Sequence, residues 1–131
     1  MTQDIPPTYV APQPLSQSDE RLWATLIHVG GIIIGFISPL IGYLVLKDRS
    51  SFVREHSRTA LNFQITMAAA QVANFIVGII LGIVTLGLWG IVQLLVSLAI
   101  GIVVIVFSIV AAIAANKGEM YKYPLSFPFI K

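Results

Sequence analysis

The sequence predicts an all-α fold: a polytopic membrane helical bundle preceded by a disordered tail. Hydrophobic residues make up 56% of the chain and charged residues only 11%, and mean hydropathy is +0.87. Globular domains carry about 25% charged residues, so lipid is the solvent this composition suits. The few charges are also segregated, leaving uncharged runs from Leu22 to Leu46 and from Thr59 to Asn116. About 20 apolar residues cross a hydrocarbon core roughly 30 Å thick. The first run therefore has room for one crossing and the second for two, and Gly82, Thr85, Gly87 and Gly90 mark a turn inside the second. Three transmembrane helices are expected, at about 22–46, 60–81 and 90–116.

Residues 1–18 place Pro6, Pro7, Pro12 and Pro14 among polar residues and read as a disordered tail that extends the chain into solvent. The tail lacks the basic region and small-residue cleavage site of a secretory signal peptide, so the first span is expected to be retained. Ser18 before Asp19 and Glu20 makes a helix start, since a hydroxyl takes an orphan amide and carboxylates suit the positive dipole end. The first helix should run to about Leu46 with a kink at Pro39, whose ring removes one backbone hydrogen bond. The second should begin near Ser51 with a charged turn or two and reach about Leu81. The third should run from Gly90 to Asn116. Beyond it, the segment from Met120 to Lys131 mixes Tyr121, Tyr123, Phe127 and Phe129 with Lys122 and Lys131, a composition suited to the headgroup interface.

Lys47, Arg49, Arg54 and Arg58 lie between the first two spans, Lys117, Lys122 and Lys131 follow the third, and Arg21 alone precedes the first. With three crossings, the positive-inside rule puts the N-terminus outside and the C-terminus in the cytoplasm of a cell-membrane protein. The net charge of +2 comes from residues beside spans, where the lipid bilayer is the partner and nucleic acid is not. Cysteine is absent, which removes disulfide frameworks, thiolate metal sites and cysteine nucleophiles.

Helices in lipid associate through small and polar residues, and each predicted helix carries a stripe of them. The first has Ala24, His28, Gly31, Gly35, Ser38 and Gly42; the second has Glu55, Thr59, Asn62, Thr66, Ala70 and Ala73; the third has Gly90, Gln93, Ser97, Gly101, Ser108 and Ala112. The stripes predict a packing seam centred on Gly31, Gly35, Thr59, Asn62, Thr66, Ser97 and Gly101, serving intramolecular packing or a homo-oligomer contact. Gln64 and Gln71 fall on another face of the second helix, for interhelical bonding or a polar path. His28 is expected to be neutral and structural. Glu55 and His56 point about 100° apart on a helix and make no zinc pairing at i and i+4. No catalytic, metal or cofactor site is expected, and the chain is not expected to be an enzyme.

The stretch SFVREHSRTALNFQ at 51–64 and the ending AANKGEMYKYPLSFPFIK at 114–131 resemble the Tic-twenty-like family of small bacterial membrane proteins, distant relatives of the chloroplast inner-envelope protein-import component. The resemblance implies an all-helical membrane domain and a role in protein translocation or assembly. The residues themselves point to a scaffold or accessory subunit whose basic loop, Lys47 to Arg58, meets anionic headgroups or a membrane protein partner. The alternative is a pore or a component of a protein-translocation assembly.

Overall fold

The computed structural model describes residues 12–131; the tail expectation for residues 1–11 lies outside them. Four α-helices follow one another: α1 Gln17–Ile34, α2 Ile37–Leu46, α3 Ser51–Val84 and α4 Gly90–Asn116. The apolar runs fold as expected into helices, but the first run forms two helices in place of one.

α1 starts two residues before the expected site, because the Ser16 hydroxyl accepts from the amide of Asp19 at 3.1 Å and caps it. Residues 13–15 are tied down as well: the Leu15 amide donates to Arg49 O at 3.0 Å and Arg49 Nε to Gln13 O at 2.8 Å. α1 ends at Gly35, whose φ of +63° and ψ of −138° are open to glycine and costly for residues with a Cβ. The chain then reverses. Ser38 Oγ donates to Ile27 O at 2.8 Å, and Gly42 packs so closely on Ile27 that an added Cβ would overlap it. Near the open end, Ser50 Oγ donates to Glu20 Oε1 at 2.7 Å. These pairings make α1 and α2 an antiparallel hairpin with its tip at Gly35 and Phe36.

This corrects the expected kink at Pro39. Pro39 stands third in α2, where the backbone N–H has no intrahelical acceptor, so its ring costs no hydrogen bond. Nor do three crossings of helix length follow from the hairpin. α1 is about 27 Å long and α2 about 15 Å, and the pair enters and leaves at one end of the molecule. Among the described residues two helices, α3 and α4, are long and apolar enough to cross a membrane.

α3, capped by Ser50 Oγ accepting from Val53 N at 3.0 Å, spans about 51 Å, and α4 about 40 Å. They form a second hairpin, closed by Leu86 and Gly87 at positive φ. Thr85 holds that turn, its hydroxyl donating to Leu81 O and accepting from Trp89 N. No residue of α3 beyond Met67 is buried, and none of α4 before Ser108. Phe75, Ile79, Ile83, Leu94, Leu98 and Ile102 are all exposed there, an apolar surface far beyond that of a soluble monomer. Inside this half, Gln71 Nε2 and Asn74 Nδ2 both donate to Ser97 Oγ at 3.1 Å.

The packed core sits at the opposite end, where Ile27, Leu46, Val53, Phe63, Met67 and Ala111 meet Tyr123. The start of α1, the α2–α3 link and the end of α4 converge here, with the Arg21 guanidinium against Gly118.

Candidate functional site

After α4 the chain folds back over α3 as a strap. Asn62 clamps its backbone from both sides, accepting at Oδ1 from Ile130 N at 2.7 Å and donating from Nδ2 to Ile130 O at 2.9 Å. Thr66 Oγ1 accepts from Phe127 N at 2.9 Å and donates to Asn62 O at 2.8 Å. Leu125, Phe127 and Phe129 stay exposed, as interfacial anchors do. Between strap and α3 lies a cavity of about 560 Å³ whose polar wall includes Glu55, Arg58, Asn62 and Lys122.

Beneath the strap, three aromatic side chains from three separated segments form one chain of hydrogen bonds. Tyr123 OH lies 2.7 Å from His28 Nδ1, His28 Nε2 lies 2.8 Å from His56 Nδ1, and His56 Nε2 lies 2.9 Å from Glu119 O. A carbonyl only accepts, so His56 Nε2 donates to Glu119 and its Nδ1 accepts. His28 Nε2 then donates to His56, and His28 Nδ1 accepts from the Tyr123 hydroxyl. One assignment of two neutral imidazoles satisfies every bond. His28, His56 and Tyr123 are all buried, and Phe63 stacks on the Tyr123 ring at 4.2 Å between centroids. Burial holds the Tyr123 hydroxyl well above the usual tyrosine range, and the shallower Tyr121 shifts the same way.

Chemically this network is a directional latch. Tyr123 occupies the far nitrogen of His28, so an ion placed between the imidazoles would gain two nitrogen ligands and no third, short of the four that zinc takes. Among the described residues no three His, Cys, Asp or Glu converge as a metal cluster.

The residues of the predicted seam part company in the structure. Gly31 is buried against the Gln64 amide, and Ser97 joins α3 to α4. Thr59, Asn62 and Thr66 face the strap and its cavity rather than another helix. Gly35 forms the α1–α2 tip, and neither it nor Gly101 has an atom within 4 Å of where a Cβ would stand. Of the basic residues, Arg58 pairs with Glu55, Arg49 holds Gln13, Lys47 lies over the Tyr43 ring at 5.4 Å, and Arg54 is exposed. Sequence reasoning missed the partnership of His28, His56 and Tyr123. They are separated by 28 and 95 positions, and no local spacing reports such a contact. The only signal was two buried-type polar side chains in a chain with few polar residues to spare.

A lipid-facing helical hairpin, a half-length hairpin docked on it and a polar head define a small α-helical membrane protein. The chain belongs to the magnetosome magnetite crystal formation protein family, MamF/MmsF, which it matches over residues 19–130. No curated protein and no solved structure matches it. The family match corrects the Tic-twenty-like resemblance and removes the ground for a translocation role. The stretches at 51–64 and 114–131 that carried the resemblance are the parts that build the head. A charged helix start and an aromatic, basic ending answer to the membrane interface, and that requirement is common to many families.

Proposed function

We propose that this chain is a non-enzymatic, multi-pass membrane subunit that supports magnetite crystal formation from within the magnetosome membrane. α3 and α4 cross the bilayer, and the α1–α2 hairpin dips into it from the head side without crossing. The observation that carries the reading is the one-ended distribution of charge. Arg21, the four basic residues of 47–58 and the three that follow α4 all belong to the head, while the Thr85–Gly90 turn bears no charge. The positive-inside rule then assigns the head, with both ends of the described chain, to the cytoplasm. A scaffold role suits a molecule whose polar side chains are spent on holding its own strap and helices. Deleting the chain from a magnetosome-forming cell should leave membrane vesicles and change the size or shape of the crystals. Re-expression should restore them. Unchanged crystals in the deletion strain would reject the proposal.

A further inference from the structure

Along α2, Phe36, Leu40, Tyr43 and Lys47 recur at steps of four, three and four, so they share one face. Along α3, Arg54, Arg58, Leu61, Ile65, Ala68 and Val72 do the same. The two faces meet in a groove of about 410 Å³ lined by Phe36, Leu40, Leu61, Ile65, Ala68 and Val72, with Ile130 of the strap at its upper wall. Every residue lining it is apolar. From Leu61 to Val72 it runs about 16 Å along α3, toward the middle of the bilayer. Above the apolar part, the same two faces end in cations: Lys47 on α2, Arg54 and Arg58 on α3. Arg58 is paired with Glu55, and Lys47 and Arg54 form no ion pair among the described residues. A Tyr43 ring stands at this mouth under the Lys47 ammonium.

We propose that this groove is a binding site for one anionic phospholipid, with its phosphate between Lys47 and Arg54 and one acyl chain lying against Leu40, Ile65 and Ala68. The cationic mouth supplies the charge complementarity. The small side chains of Ala68 and Ala69 leave room for the chain, and Ile130 closes the groove from the strap side. A lipid held here touches both α2 and the strap, so it braces the half-hairpin against α3. The site rests on the membrane reading above and adds to it a choice of headgroup.

Native mass spectrometry of the intact chain in neutral detergent tests this with phosphatidylglycerol and phosphatidylcholine of identical acyl chains. Phosphatidylglycerol should bind one per chain and at least tenfold more tightly. Lys47→Gln with Arg54→Gln should abolish the preference; neither side chain is in an ion pair among the described residues, so the fold should survive. Ala68→Trp, at an exposed position, should block retention of either lipid, and glycerol phosphate without acyl chains should bind poorly. Equal binding of the two lipids would overturn the site, as would a preference that survives the double substitution or glycerol phosphate binding that Ala68→Trp leaves intact. Alkaline carbonate extraction of membranes separates the two failures. Release of the chain defeats the membrane reading itself, whereas retention together with equal lipid binding defeats this site alone.

Discussion

The Tyr123 hydroxyl ends a hydrogen-bond chain that reaches the Glu119 carbonyl through two imidazoles, and its ionisation is opposed by burial. The folded-state value lies above the unfolded value near 10. The stability it contributes is therefore complete below about pH 10 and is lost as pH rises through the folded value. Tyr123→Phe should remove the most alkaline part of the tyrosinate absorbance titration and lower the melting temperature at neutral pH, because it leaves an imidazole acceptor buried without a donor, at a cost of about 1–3 kcal/mol. An unchanged alkaline limb would exclude Tyr123 as the late-ionising group. Asn62 and Gln64 make a second comparison. Both are buried, but Asn62 makes two bonds to Ile130, and Gln64 makes none with the described residues. Asn62→Leu should cost about 1–3 kcal/mol and free the strap for proteolysis, with Gln64→Leu near neutral in the same detergent melt. Equal losses would mean that the strap is not what Asn62 secures.

At the level of elements, the fold turns on whether the first apolar run is one kinked helix or two antiparallel ones. Gly35 and Pro39 separate the alternatives. In the hairpin, Gly35 carries the reversal at positive φ and strongly negative ψ, where an L residue costs about 1–3 kcal/mol, and Pro39 occupies a first turn that needs no amide. Gly35→Ala should therefore destabilise the protein measurably, and Pro39→Ala should change its thermal unfolding little. A kinked single helix predicts the reverse, with Pro39→Ala straightening and stabilising it. Gly31→Ala serves as a control, because the atoms nearest the added methyl belong to the Gln64 side chain, 2.7 Å away at Nε2, and that flexible end can move aside.

For the whole molecule, the two hairpins place the start of α1 and the strap at the same end. Because the chain contains no cysteine, single replacements report topology cleanly. Ser18→Cys and Lys131→Cys should react with an impermeant thiol reagent from the same face of the membrane, and Leu88→Cys from the other. Three crossings would put Ser18 and Lys131 on opposite faces, so labelling of those two from different sides would refute the re-entrant arrangement.

Composition and charge placement by themselves determined that the chain is helical, that it belongs in lipid and where α3 and α4 run. Transfer of apolar surface and of charge depends on residue type and position along the chain, which a sequence displays directly. Only the tertiary structure decided that Leu22 to Leu46 turns back at Gly35 into two helices instead of forming one. A run of 25 uncharged residues has the same transfer energy in either path, and the choice is made by Ser38, Gly42 and Ile27 packing across the hairpin. The tertiary structure also joined His28 to His56 and Tyr123, and Asn62 to Ile130. Those bonds form because folding excludes water from groups far apart in sequence, which must then satisfy one another.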